Sequence, residues 1–158
     1  MTSDASADVK EVIFVNEAAN RDYADLPPDV REAADNRTTV LQNGGRLPAK
    51  QVRNLQGVLF GISEIRISYD DDTYRVYFVA EYAEAIYILD AGMKKSPKDG
   101  EIPRWQIDRL VARKQKADDH YLTNRPMLRR RAEDRRKVRA ARDNELTVDL
   151  AWSPKLVR

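Results

Sequence analysis

The stretch Ile62–Lys95, ISEIRISYDDDTYRVYFVAEYAEAIYILDAGMKK, decides the fold. Three of its runs are rich in Ile, Val, Tyr and Phe: ISEIRISY (Ile62–Tyr69), TYRVYFVA (Thr73–Ala80) and AIYILDA (Ala85–Ala91). They are separated by DDD and by EYAE, so the stretch predicts a β-meander. Alternation sets the faces. Pairing Tyr69 with Tyr74 across a four-residue connection puts Ile67 opposite Val76 and Ile65 opposite Phe78 on one face. Ser68 then meets Arg75, and Arg66 meets Tyr77, on the other face. A slip of one residue would set Ile67 against Arg75, which the pattern rejects. Closing the second hairpin on Ala80 and Ala85 sets Val76 against Leu89 and Phe78 against Tyr87, and brings Asp90 opposite Arg75. The expected polar surface therefore collects Arg66, Ser68, Arg75, Tyr77 and Asp90. Val79, Ile86 and Ile88 lie on that same side and need an apolar cover.

Outward from the meander, Glu11–Val15 predicts a short strand, and Asn16 is a suitable N-cap for a helix running through Tyr23. Pro28 sits where the first turn of a second helix should begin. Val30, Ala33, Ala34, Arg37, Val40 and Leu41 form one stripe of that helix, and Gly44-Gly45 ends it. The two helices make a hairpin able to lie on the sheet. Arg46–Gly61 reads as a linking loop anchored by Leu55, with Lys50 and Arg53 as its basic members. After the meander, Pro103 opens a helix whose Trp105, Ile107, Leu110 and Val111 are expected to cover the open side of the sheet.

The 158 residues suffice for one modest core. No apolar run is long enough for a membrane span. Nor does the N-terminus show a secretory signal. Cysteine is absent, which excludes disulfides and thiolate metal sites and fits a cytoplasmic protein. The net charge of +2 conceals an asymmetry: residues 1–90 carry 9 Lys/Arg and 16 Asp/Glu, whereas residues 91–158 carry 19 and 10. The basic half is the natural contact for nucleic acid or an acidic partner. Beyond Lys116 the composition changes. Residues 125–142 are strong helix formers without an apolar stripe, and the closing TVDLAWSP predicts a short strand around Trp152. The expected organisation is thus a disordered N-terminus (1–9), an α+β domain (10–116) and a basic, partly helical extension (117–158).

The ordered set Leu55, Glu64-Ile65-Arg66-Ile67, Tyr74-Arg75-Val76, Ile88-Leu89 and Lys94-Lys95-Ser96 resembles a known family. It is similar to the HigB-like, phage-derived branch of the RelE/ParE toxin superfamily. That branch shows Leu-x-Gly, Glu-(Ile/Leu)-Arg-(Ile/Val), Tyr-Arg-Val and a Leu-(His/Asn)-Ala-Phe-x-Lys-Lys-(Ser/Thr) ending. The resemblance covers roughly residues 10–116. It implies a RelE-like α+β fold with an N-terminal helical hairpin on a small antiparallel meander and a C-terminal helix. It also implies the toxin of a type II toxin-antitoxin system: a ribosome-dependent mRNA endoribonuclease held by a cognate antitoxin, often a helix-turn-helix protein of the HigA kind.

Metal-independent RNA cleavage needs a 2′-OH aligned on its phosphate, a proton acceptor, cations for the phosphorane and a proton for the leaving 5′-oxygen. Arg66 and Arg75 offer planar donors, and Lys94 or Lys95 mobile cations, while Asp90 or Glu64 could take the proton. Asp90 stands where the family frequently has histidine, and Ala91-Gly92 follows it in place of Ala-Phe. Tyr77 could stack on a base, with Ser68, Lys50, Arg53, Arg129, Arg130 and Arg131 contributing RNA contacts. Neither a cofactor nor a metal is expected. His120, the single histidine, reads as a surface residue. Two other readings remain open: a ParE-like toxin acting on DNA gyrase without nuclease chemistry, and a non-enzymatic phage-derived protein binding nucleic acid or protein.

Overall fold

The computed structural model describes residues 9–94 and 101–157, with side chains described as far as residue 145. Residues 1–8, residues 95–100 with Lys95 among them, and residue 158 lie outside the described residues. The elements are β1 (Glu11–Phe14), α1 (Glu17–Ala24), α2 (Pro28–Gln42), β2 (Val52–Asn54), β3 (Ser63–Tyr69), β4 (Asp72–Val79), β5 (Ala85–Met93) and α3 (Arg104–Val157). The fold is α+β: a mixed five-stranded sheet of order β1-β5-β4-β3-β2, two N-terminal helices and one long C-terminal helix. β1 runs parallel to β5, and every other pairing is antiparallel.

Local chemistry explains the ends of the hairpin helices. The Asn16 side chain accepts from the Ala19 N–H and caps α1. Pro28 supplies the first residue of α2, where its missing N–H costs nothing. Tyr23, Leu26, Val30 and Ala34 of this hairpin pack on Ile65, Ile67, Val76, Phe78, Ile86 and Ile88. Each fully buried aliphatic side chain here contributes about 1.5–3 kcal/mol. Val40, expected on the buried stripe, is exposed, and Thr38 takes an inward position instead.

β3 and β4 keep the expected faces but not the expected register, whereas Ile86, Tyr87, Ile88 and Leu89 of β5 lie on the faces opposite to those expected. Tyr69 pairs with Asp72, not Tyr74, so Ile67 meets Tyr74, Ile65 meets Val76 and Arg66 meets Arg75. Asp70 and Asp71 both have positive φ, as a two-residue hairpin turn requires, and this shortens the connection by two residues. A shift of two leaves every β3 and β4 side chain on its expected side. The second hairpin differs more. Its register slips between Tyr77 and Phe78, so Phe78 pairs with Ile88 while Tyr77 pairs with Asp90. Leu89 is the extra residue of this bulge. Tyr87 and Leu89 consequently join Tyr77 and Val79 on the side covered by α3, and Ile86 and Ile88 turn to the helical hairpin.

The expected linking loop contains β2 and a 3-10 turn at Gly57–Leu59, and Leu55 is buried as anticipated. α3 covers the second face through Leu110 and Ala117. Trp105 is 48% exposed, and Val111 is exposed too, against the expectation that both lie in the core. The Arg109 guanidinium lies 4.9 Å from the Trp105 ring centroid, so the indole covers a cation at the surface. The boundary expected at residue 116 falls inside α3, and Ala117, Leu128 and Ala132 are buried against the body. No strand forms around Trp152, because the backbone there continues α3. No described helix is long and apolar enough to cross a membrane.

Candidate functional site

β2, β3 and β4 carry a cluster of charged residues on the face turned away from the helical hairpin. Pairing puts Arg53 opposite Glu64, Glu64 opposite Tyr77, and Arg66 opposite Arg75. The Glu64 carboxylate is fully buried at the centre. Arg75 Nη1 lies 3.3 Å from Glu64 Oε2, Arg53 Nη2 3.4 Å from Oε1, and Arg66 Nε 4.0 Å from Oε1. Three guanidiniums thus share one carboxylate, leaving a formal surplus of two positive charges.

The members differ in access. Arg75 is 6% exposed, whereas the side chains of Arg53 and Arg66 are 36% and 37% exposed. Glu64 and Arg75 therefore form the floor, and Arg53 and Arg66 the rim. Nε of Arg53, Arg66 and Arg75 and Oε1 of Glu64 are buried and lack a hydrogen-bond partner among the described residues. Unpaired buried donors are costly, and three in one place favour an anion. From the opposite side of the sheet, Arg37 Nη1 donates to the Arg66 carbonyl at 2.6 Å and pins the backbone of β3. Burial pushes the Tyr77 hydroxyl up to about 12, the Glu64 charge adds to this, and Arg75 opposes it. Tyr77 is therefore a neutral hydroxyl at physiological pH.

A second buried carboxylate lies next to Tyr77 on the same face. The expected pairing of Asp90 with Arg75 does not form, because the hairpin closure and the bulge together place Gly92 opposite Arg75, and the cluster carboxylate is Glu64. Asp90 instead faces α3. Its Oδ2 accepts from Gln106 at 3.3 Å and lies 3.5 Å from Arg109, and its Oδ1 lies 3.5 Å from Arg113. Oδ1 also accepts from the Ala91 N–H at 3.0 Å. Arg113 in turn donates to the Leu89 carbonyl at 2.8 Å, so it ties the bulge to the helix.

The remaining expected residues are dispersed. Ser68 is exposed near the β3–β4 turn, and Lys50 is exposed in the turn before β2. Lys94 follows β5 and its backbone N–H donates to Thr73 at 2.7 Å. Arg129 and Arg131 lie at the other end of the sheet, paired with Glu84 at 3.3 Å and Glu11 at 2.8 Å, and Arg130 is exposed. His120 is exposed as expected, and its Nδ1 shares a 2.7 Å hydrogen bond with the Tyr87 hydroxyl. Sequence reasoning missed Arg37, Gln106, Arg109 and Arg113. The i,i+4 spacing of Arg109 and Arg113 was the available signal, since it places both on one helical face. No group of acidic or histidine side chains able to hold a metal occurs among the described residues.

The sheet, its covering helices and this arginine-rich face define a small α+β protein with a positively charged cluster on one side of its sheet. A family profile described as Phage derived protein Gp49-like (DUF891) matches residues 21–115, more than half of the chain. The chain belongs to the Gp49-like family of phage-derived proteins, which is compatible with the toxin component of a toxin-antitoxin pair. No curated protein and no solved structure matches it.

Proposed function

We propose that this protein is the toxin of a type II toxin-antitoxin pair and acts on mRNA at the ribosome, as a metal-independent endoribonuclease of the HigB kind. The observation that carries the reading is the arginine cluster around Glu64, with its buried donors lacking partners and its rim open to solvent. Arg53 and Arg66 bind phosphate oxygens. Arg75, fixed by Glu64, supplies a charge that need not reorganise as the phosphorane forms. Lys94, the residue after β5, and Lys95 next to it in sequence add further cations. The 2′-hydroxyl gives its proton to solvent water as its oxygen bonds to the adjacent phosphorus, the P–O5′ bond breaks to leave a 2′,3′-cyclic phosphate, and the departing 5′-oxygen takes a proton from water. Glu64 acts here by positioning guanidiniums, since its carboxylate is buried among them. Membership of the Gp49-like family supports a protein antitoxin as partner, expected to be a helix-turn-helix protein. An acidic antitoxin segment would complement the rim and block it. The protein works in the cytoplasm in this reading.

One observation favours a second reading, a nucleic-acid-binding protein that does not cleave: Glu64 and Asp90 are both buried and held by arginines, so neither offers an accessible base. The two readings separate in one experiment. The chain and its Arg66→Gln variant are induced in bacteria and the 5′ ends of mRNA are mapped. New ends within codons that vanish with Arg66→Gln establish the nuclease. Growth arrest without new ends selects the binder, and a DNA-damage response would point to gyrase.

A further inference from the structure

α3 changes character along its length. As far as Ala132 it lies on the body, with Leu110, Ala117, Leu128 and Ala132 buried. From Arg136 to Glu145 every described side chain is exposed. At 1.5 Å per residue its 54 residues extend about 80 Å, so the distal part runs on past the sheet. The family match ends at residue 115, before this part begins. Residues 125–142 contain eight arginines and one lysine against Glu133 and Asp134.

The helical stripe that is apolar at Leu128 and Ala132 continues as Arg135, Arg139 and Arg142. With Arg136, Asp134, Val138, Val9 and Asn43, these arginines line a groove of about 440 Å3, in which four guanidiniums outweigh one carboxylate. Arg135 anchors the groove: its Nε donates to the Val9 carbonyl at 3.0 Å and its Nη1 lies 3.3 Å from Glu11. Its Nη2 is buried and has no hydrogen-bond partner among the described residues.

We propose that α3 from Arg125 to Arg142 binds the phosphate backbone of a nucleic acid, with the groove beside Arg135 seating one phosphate. Arginine outnumbers lysine eight to one here, and its planar fork suits phosphate oxygens. A protein partner docking on a helix needs an apolar stripe, yet the only large apolar side chain between Ala132 and Glu145 is Val138. Charge without such a stripe fits a polyphosphate surface. This inference is independent of whether the sheet face cleaves RNA, because it concerns binding at the opposite end of the sheet.

The test is anisotropy titration of the full chain with a 20-base-pair RNA duplex and a DNA duplex of the same sequence, from 50 to 300 mM salt. The parent is expected to bind with a steep salt slope. A variant carrying Arg136→Gln, Lys137→Gln, Arg139→Gln and Arg142→Gln should lose ~30-fold or more in affinity and roughly three units of slope. Circular dichroism should show unchanged helix content, because these side chains are exposed and glutamine is a good helix former. Replacing the three arginines by lysine should preserve the slope. Tighter binding of one duplex names the source of the phosphates. An unchanged affinity and slope in the glutamine variant would overturn the proposal, as would polyglutamate competing as well as RNA. Arg104→Gln, an exposed charge on the same helix outside this part, should leave the affinity and slope unchanged. Mapping mRNA 5′ ends with the parent chain reads the sheet face separately, so this proposal and the sheet-face reading can fail independently.

Discussion

Two buried carboxylates lie on one face of the same sheet, each held by arginines, and they differ in what lies above them. Asp90 is roofed by α3, whose Gln106, Arg109 and Arg113 close over it. Glu64 is held by arginines from the strands themselves, and two of the three reach solvent. The same chemistry gives a structural lock in one place and a receptive surface in the other. What separates them is whether the cations come from the covering helix or from the sheet. A charge supplied by the cover is consumed in holding the cover down.

The largest expected effect on stability is at the open cluster's floor. Glu64→Ala strands the buried Arg75 guanidinium and should cost about 3–5 kcal/mol in denaturant unfolding. Asp90→Asn should cost less, about 1–3 kcal/mol, because Arg109 is partly exposed and water recovers part of the loss. Its signature is faster hydrogen exchange in residues 104–115, which the Glu64 substitution should not share. Equal acceleration in both variants would dissolve the distinction between lock and surface.

Alkaline pH gives a graded effect. Burial raises Tyr77, and also Tyr87, to about 12, above the ordinary tyrosine value of 10. The folded state therefore keeps protons that the unfolded state releases, so stability is unaffected below pH 10 and falls as pH rises from 10 towards 12. Tyr77→Phe should flatten that fall in a melting-temperature series from pH 8 to 11. The smallest stability effect belongs to the rim: Arg66→Gln should shift stability by no more than about 0.5 kcal/mol while removing the proposed activity.

Much of the architecture could be read from the residues, and the failures have physical causes. Alternation put Arg66, Arg75 and Tyr77 opposite the helical hairpin correctly, because the period-two pattern survives a slip of two. The pairing itself depended on the Asp70-Asp71 turn, whose left-handed backbone needs no glycine when the residues are aspartates. The Leu89 bulge was invisible, since Ile88 and Leu89 are equally apolar and either could face either side. Together with a hairpin that closes one residue out of the expected register, at Val79 and Tyr87, the bulge moved the cross-strand partner of Asp90 from Arg75 to Tyr77. The contacts of α3 beyond residue 116 were hidden because the helix docks through Leu128, two alanines and polar tips, such as Tyr121 on Glu84 at 2.6 Å, instead of a continuous apolar stripe. Arg53 and Glu64 were each recognised as candidates, but their pairing required β2, a three-residue strand inside an expected loop.

The most direct test of the central claim, that the open arginine cluster and not the roofed one meets RNA, is the rate of mRNA cleavage after induction of Arg66→Gln and Arg109→Gln in parallel. The account predicts a fall of ~10²-fold or more for Arg66→Gln, with Arg109→Gln staying close to the parent rate. Loss of cleavage in Arg109→Gln with Arg66→Gln unaffected would contradict it.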